Sequence, residues 1–430
     1  MFGNIRWLWV RLDANYWFYP ALFVVGALLL AGTMVWLDNA GFGRVVEAYG
    51  PPLSATPGSA HAMLQIIAAG MFGAAATIFS ITIAAVAYAS GTYGPRLLAN
   101  YLEDKGNQLS LAMLIGTFVY ALVVMASIRE DTASFPAGAP APHLSLLCAY
   151  LLTAISVAAI VYMLNHIPSS IRINYVLEGI GQRLLRDIRK RFPEEAEGIR
   201  VHVPAGGHKI AAIQTGYVQL IDFDRLAELA KRDDCHFALE VRTGDFIHRG
   251  KPLLRVISGV PQSDITEGLH EYITVGSDRT AEQDLEFLID ELVEIALRAL
   301  SPGINDPFTA ITAIHWLGAA TAEIGRRNLA LDTADLAARN RVMPLPDDFE
   351  HYVGRGFGAA RSAVAASPIA ARVTLEALSG AGCVIDDPER RAMLLQEANL
   401  LVEQAKLTIA GPDLKMVEAR HAEVLAELRR

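Results

Sequence analysis

Four long stretches of the chain are apolar and free of charged residues. They cover about residues 17–37, 63–89, 109–128 and 144–164. Each reaches or exceeds the roughly 20 residues that a helix needs to cross a hydrocarbon core of ~30 Å. The first stretch is too long for a cleaved signal peptide, and no small-residue cleavage site follows it. The pattern predicts four transmembrane helices within a membrane domain of residues 1–165.

The pattern changes after the fourth apolar stretch. Residues 166–198 are typical of an amphipathic linker helix leaving the membrane. Residues 199–262 contain the short segments KIAAIQ, YVQLID, HFALEV and PLLRVIS, which are typical of strands. The segment TGDFIHRGKPL, with turn glycines Gly244 and Gly250, is predicted to form a hairpin. It resembles the turn of barrel-sandwich domains of the lipoyl and biotinyl group, which implies a small β-barrel domain. The modifiable lysine of those carriers is missing here, so an interaction or spacer role is expected.

Helical periodicity dominates the last segment, residues 263–430. Thr280 and Gln283 have the spacing of a capping box for a helix that runs through Leu285 to Ala299. Later helices are predicted to start at Asp306-Pro307, Asp347, Ser367-Pro368, Asp387-Pro388 and Pro412, where a capping side chain or a proline stands at the first position. The predicted fold class is therefore four transmembrane helices, a small barrel-sandwich-like β domain and an α-helical domain.

The positive charges in the loops predict how the chain is oriented in the membrane. Two arginines precede the first span, Arg96 and Lys105 lie between the second and third spans, and six basic residues follow the fourth within residues 165–191. The two remaining loops carry one arginine each. By the positive-inside rule, both termini and everything after residue 164 are cytoplasmic. A multi-pass protein of the bacterial inner membrane, in contact with membrane lipid, is expected.

Composition and motifs exclude several classes of protein. The net charge of −9 gives no case for nucleic-acid binding, and three widely spaced cysteines support neither a disulfide framework nor a zinc site. The common nucleotide-binding, metalloprotease and hydrolase motifs do not occur. We predict no catalytic residue, metal or cofactor. The spans contain no Asp, Glu, Lys, Arg or His, so a proton-coupled carrier is not expected.

The segment SPGINDPFTA, residues 301–310, is a candidate functional corner between two helices. Asn305 and Asp306 can be explained as turn and cap residues, since Asp306 precedes Pro307 at the start of a helix. Alternatively, the corner binds a cation or the basic side chain of a partner. Arg279, Glu282 and Asp284 lie about 30 Å away along the preceding helix, so they could join the corner only from a neighbouring subunit.

A seam of small residues in the second span is the other candidate site. Gly73, Ala76, Ser80, Ala84 and Ala87 recur at helical spacing, with Thr77 and Thr82 beside them. Close helix packing explains such a seam. The alternative is a pore, in which one such helix from each subunit of an oligomer lines a path and Arg96 lies at its cytoplasmic mouth.

Three segments resemble an uncharacterised bacterial family of predicted membrane proteins of unknown function. They are ELVEIALRALSPGINDPFTA, FSITIAAVAYASGTYGPRLLANYLEDKGNQ at residues 79–108, and LNHIPSSI at the end of the fourth span. Where the family usually has Ser-Ser-Gln before Pro-Arg, this chain has a Ser90-Gly91-Thr92-Tyr93-Gly94 sequence. The resemblance implies a four-span plan with a cytoplasmic domain, and no activity.

Two function classes remain open. The first is an oligomeric channel or solute-conducting protein whose cytoplasmic domain senses a ligand or assembles the ring. The second is a membrane-anchored scaffold or signalling module without transport activity, which binds a cytoplasmic protein partner. An enzyme is third.

Overall fold

The computed structural model describes residues 15–42, 57–94, 104–128, 143–170, 172–192, 206–259, 269, 272–281, 283–329, 341–345 and 347–429. The chain divides into two compact units, residues 1–172 and 173–430. We call them the first unit and the second unit.

The first unit contains four long apolar helices. They are α1 (Phe18–Asn39), α2 (Pro57–Tyr93), α3 (Lys105–Ser127) and α4 (His143–Ser170). Among the described residues, these four have the length and apolarity to cross a membrane. Each contains nearly all of one predicted apolar stretch, so the prediction of four spans is confirmed as four membrane-length helices.

Helix α3 is the most extensively packed helix of the first unit, and it contacts α1, α2 and α4. Several buried hydroxyl groups inside this bundle have hydrogen-bond partners. The hydroxyls of Thr117 and Ser156 lie 2.8 Å apart and are buried, and the Tyr120 hydroxyl donates to the Ser145 carbonyl at 2.9 Å. Such hydrogen bonds are needed because the hydrocarbon core of a membrane contains no water that could bond to buried polar groups.

The start of α4 is capped by a residue of another helix. The carboxylate of Asp38, near the end of α1, accepts from the backbone N–H groups of Leu144 and Ser145 at 3.0 and 2.9 Å, and from the Ser145 hydroxyl at 2.6 Å. A helix N-terminus has free N–H donors and a positive dipole end, so the carboxylate stabilises it. This contact ties α1 to α4 in the first unit.

The second unit begins with α5 (Ile173–Arg191) and contains two small sheets. Seven strands lie in the part of it that the structure describes: β1 (His208–Ala211), β2 (Gly216–Ile221), β3 (His236–Leu239), β4 (Phe246–Ile247), β5 (Pro252–Ser258), β6 (Ile273–Gly276) and β7 (Val342–Met343). One sheet has the order β1-β5-β3-β7 and the other β4-β2-β6. All pairs are antiparallel except β3 and β7. The β region is thus present, but this topology does not confirm a barrel-sandwich domain.

The predicted hairpin in TGDFIHRGKPL is wrong. Strand β4 pairs with β2, whereas β5 pairs with β1 and β3, so the segment crosses from one sheet to the other. Gly244 and Gly250 do adopt positive φ, +94° and +92°, as the turn pattern predicted. Each stands third in a tight turn closed by a backbone hydrogen bond. The two turns therefore redirect the chain between sheets, and β4 is only two residues long.

Helices make up most of the remainder of the second unit. They are α6 (Phe223–Arg232), α7 (Leu285–Ala299), α8 (Pro307–Gly325), α9 (Phe349–Val353), a π-helical turn (Gly354–Gly358), α10 (Ala359–Val364), α11 (Pro368–Gly382), α12 (Pro388–Ala405) and α13 (Gly411–Leu428). The starts of α8, α11 and α12 have the predicted caps, Asp306, Ser367 and Asp387. The start predicted at Asp347 is one residue early, since the Asp348 side chain makes the cap.

The predicted capping box at Thr280 and Gln283 is wrong. Helix α7 begins at Leu285, and the Asp284 carboxylate caps it by accepting from the Phe287 N–H at 3.0 Å. Gln283 lies outside the helix at φ +58°. Its side-chain amide bonds to both the N–H and the C=O of Ile221, at 3.2 Å each. A contact with a distant strand has displaced the local capping pattern.

A buried carboxylate joins α5 to α8. Glu323 accepts from Arg189 on α5 at 3.1 Å and from Arg327 at 2.6 and 3.0 Å. Arg327 also donates to the Phe192 carbonyl. Burial would raise the pKa of Glu323, but the hydrogen bonds from the two arginines outweigh it and lower that pKa. The carboxylate is therefore ionised and holds the end of α5 in place.

Candidate functional site

The small-residue seam of α2 lies on the face of the helix that points away from the rest of the first unit. Gly73, Ala76, Thr77, Ser80, Ala84 and Ala87 are all exposed in the chain. The buried face consists of other residues, among them Ala75, Ile78 and Thr82. Positions two residues apart, such as 73 and 75, lie about 200° apart around a helix. The seam is thus opposite the packed face, and among the described residues it does not serve helix packing within one chain.

The hydroxyls of the seam are bonded to their own helix. Thr77 donates to the Gly73 carbonyl at 2.9 Å, and Ser80 donates to the Ala76 carbonyl at 2.8 Å. Around Gly73, an added Cβ would have no neighbour within 4 Å. A hydroxyl that donates to its own helix keeps acceptor lone pairs for another group. The seam can therefore receive a second helix or a polar solute.

One residue that was associated with the seam does not belong to it. Thr82 is buried on the opposite face, where its hydroxyl donates to the Asn107 side chain at 3.3 Å. The reason is the helical period, since residue 82 is two positions from Ser80. Arg96, predicted at a pore mouth, lies outside the described residues.

The corner between α7 and α8 is built from local hydrogen bonds. Asp306 accepts from the N–H and the hydroxyl of Thr309, at 3.2 and 2.6 Å. Its own N–H donates to the Ala299 carbonyl at 2.8 Å, and Asn305 adopts φ +49°. Both carboxylate oxygens of Asp306 are thus used inside the turn. This geometry favours the interpretation as a capped helix corner over a cation site.

Arg279 and Asp284 lie at the other end of α7, so the structure does not bring them to Asn305 and Asp306. Arg279 donates to one Asp284 oxygen at 3.0 and 2.6 Å and to Asp290 at 2.6 Å. Burial alone would lower the pKa of Arg279, but the adjacent carboxylates outweigh it and raise that pKa. Glu282, predicted with this group, lies outside the described residues.

The ion-pair network around Arg279 includes residues that the sequence did not single out. Arg355, in the π-helical turn, donates to both oxygens of Asp290 at 2.7 and 2.6 Å and pairs with Glu286 at 2.7 Å. Arg242 and His351 also reach Glu286, at 3.4 and 2.9 Å. Glu286 and Asp290 are four residues apart on one face of α7, which is the signal that could have indicated them.

Burial also changes the pKa of a tyrosine next to this network. Tyr352 is buried and donates to Asp347 at 2.6 Å, and Asp347 in turn pairs with Arg191 at 2.8 Å. Burial and the neighbouring carboxylate raise the pKa of Tyr352 well above its ordinary value. The hydroxyl therefore stays protonated and can keep donating. The network ties α5, α7 and α9 together and is structural in its chemistry.

Comparison with known proteins gives a family but no activity. A family model described as "Predicted membrane protein (DUF2254)" matches residues 13–380. Uncharacterized proteins of Mycobacterium bovis and Mycobacterium tuberculosis are each 30% identical to the chain over 366 residues, which cover 83% of this chain and 70% of each relative. No solved structure matches the chain.

Proposed function

The chain belongs to this family of predicted membrane proteins, and on that premise we propose that it is an oligomeric, solute-conducting protein of the bacterial inner membrane. In this proposal four spans cross the membrane, both termini are cytoplasmic, and the α2 helices of several copies meet along their small-residue seams. The second unit then lies in the cytoplasm, where it senses a ligand or assembles the ring. Its β region serves as an interaction or spacer element.

The observation that supports the proposal best is the outward position of the seam. In lipid, helices associate through small residues that let two backbones approach closely. A face that meets only hydrocarbon has no need of them, and large apolar side chains such as Phe72 and Tyr88 occupy other exposed positions of α2. The seam is exposed among the described residues, so its natural partners are the α2 helices of further copies.

We propose conduction because a ring of α2 helices would line a path with polar groups. Four helices whose spans lack Asp, Glu, Lys, Arg and His do not enclose a polar path alone, whereas several α2 helices can. Ser80 and Thr77 would give rings of hydroxyl oxygens with acceptor lone pairs, and Gly73 would leave the passage wide. This lining is uncharged, which suits small solutes or weakly selected ions rather than a carboxylate-driven carrier.

Flux through proteoliposomes tests the proposal. Purified protein is reconstituted, and the release of entrapped potassium, chloride and glycerol is followed for wild type and for Ser80→Leu. We expect wild type to release at least one of them, and the leucine to reduce that flux at least about tenfold because it fills the seam. Ala158→Leu adds the same bulk at an exposed position of α4 and should conduct like wild type.

Two results would contradict conduction. One is the absence of flux in wild type for all three solutes, and the other is equal flux in wild type and Ser80→Leu. In either case the alternative gains support, namely a membrane-anchored scaffold or signalling module whose second unit binds a cytoplasmic protein.

A further inference from the structure

The second unit contains an open cleft that neither the sequence motifs nor the proposed conduit uses. Its volume is about 600 Å³, within the range of roughly 300–1,000 Å³ that small-molecule sites occupy. Its walls come from α5, from the strands β2 and β3 with the loop after β3, and from the start of α7.

One part of the cleft lining is apolar. Ile221, Leu239, Val241 and Leu285 line it and are almost completely buried, and Phe223 lies beside them with its side chain half-buried. The accessible part of this apolar lining comes mainly from the half-buried Phe223, Pro344 and Leu345. It favours the aromatic or hydrocarbon part of a ligand, because the contact removes apolar area from water.

The other part of the lining is basic. Arg183, Lys190, Arg191 and Arg242 line the cleft against only two acidic residues. One of these acids, Asp284, is already paired with Arg279. The three basic residues of α5 share one face of that helix, at positions i, i+7 and i+8. The lining thus has more basic than acidic side chains, which favours an anion as the ligand.

Two of the four basic side chains are held in position before any ligand arrives. Arg191 pairs with Asp347 at 2.8 Å, and Arg242 reaches Asp347 at 3.8 Å. The wall itself is fixed where the Gln283 amide bonds to the backbone of Ile221. Fixed groups lose little conformational freedom on binding, which favours affinity.

We propose that this cleft binds a small molecule that combines a phosphate group with an aromatic or hydrocarbon body. Guanidinium groups recognise phosphate oxygens through pairs of charge-assisted hydrogen bonds, and the apolar lining receives the body. A nucleotide and the head of an anionic phospholipid share this chemistry. This proposal names the class of ligand that the second unit would sense. Only that sensing role rests on the proposed function, because binding is measured without any flux.

Isothermal titration of the full chain in a neutral detergent tests the proposal. One arm titrates AMP, GMP, CMP and UMP, and the other titrates water-soluble dihexanoyl phosphatidylglycerol. We expect saturable binding either of a nucleotide or of the phospholipid, with one site per chain. The compound that binds shows which of the two sources supplies the phosphate. The double variant Arg183→Gln/Lys190→Gln should weaken binding at least about tenfold.

The control is Arg249→Gln, which removes one positive charge from an exposed position outside the cleft lining and should bind like wild type. Lys190 is exposed and Arg183 lies 3.9 Å from Asp187, and circular dichroism checks that the double variant folds. A single Lys190→Glu variant should also weaken binding. The absence of binding in both arms overturns the proposal, and so does binding that is equal in wild type and the double variant.

Discussion

Two glycines with nearly the same backbone conformation differ in what surrounds them. Gly244 has φ +94° and Gly250 has φ +92°. A Cβ at Gly244 would overlap the Asp284 carboxylate and lie 2.9 Å from Arg279 Nη2, whereas a Cβ at Gly250 would have nothing within 4 Å. Substituting each by alanine therefore separates backbone strain from the disturbance of a buried ion pair.

The expected magnitudes follow from these surroundings. A non-glycine residue in left-handed backbone costs about 1–2 kcal/mol, and both variants have this cost. In Gly244→Ala the methyl group must also displace Asp284 from Arg279, and breaking a buried pair costs about 3 kcal/mol more. Arg279 would still pair with Asp290, which lies 2.6 Å away, and this favours the lower end of the expected loss of stability. We expect a loss of about 4 kcal/mol for Gly244→Ala and of about 1–2 kcal/mol for Gly250→Ala.

Hydrogen exchange of the peptides that cover Leu285–Ala299 is the direct assay, because Asp284 caps that helix. A loss of about 4 kcal/mol accelerates the exchange of these amides about a thousandfold. The Gly250 variant should accelerate it by about thirtyfold at most, which corresponds to about 2 kcal/mol. Equal acceleration in the two variants would refute the assignment of the buried pair as the main source of stability here.

Three further predictions concern the second unit. Glu323→Gln removes the charge that Arg189 and Arg327 share, so it should destabilise the unit by about 3 kcal/mol in urea unfolding. Burial, with Lys406 nearby, lowers the pKa of His421, so its neutral form is favoured in the fold. Stability should therefore fall as the pH drops below its ordinary value near 6.5, and His421→Gln should remove that part of the fall in thermal unfolding. Asp306→Ala should cost about 1 kcal/mol in urea unfolding, because it removes one helix cap.

Each of these has its own control. Glu403 is exposed, so Glu403→Gln should leave the urea midpoint unchanged, and a similar loss in Glu323→Gln and Glu403→Gln would argue against the buried cluster. The histidine prediction fails if wild type and variant lose stability in parallel between pH 7.5 and pH 5.5. For Asp306→Ala, a loss of oligomeric assembly together with a much larger destabilisation would point to a subunit contact at the corner.

The features that could be predicted from the sequence depend on local signals. The apolar stretches are long enough to define α1 to α4 without any tertiary information. A capping side chain followed by proline marks the start of α8, α11 and α12, because the cap bonds within one helical turn. The small residues of the seam were also evident, since their spacing alone places Gly73, Thr77 and Ser80 on one helix face.

The features that could not be predicted depend on distant contacts. Gln283 has the spacing of a capping residue, yet its amide bonds to Ile221, 62 residues earlier. Arg355 reaches Asp290 across 65 residues, and no short motif indicates that pair. The spacing of the seam does not tell whether it faces α3 or points outward, because both positions suit small residues. That choice depends on the packing of the whole bundle.

The outward seam makes the oligomeric state the most direct test of the account. The measurement is the subunit count of the detergent-solubilised chain by native mass spectrometry. The account predicts a single oligomeric species, because the face of Gly73, Ser80 and Ala84 is exposed in one chain and small residues join helices in membranes. A wild-type protein that is monomeric under these conditions would contradict it.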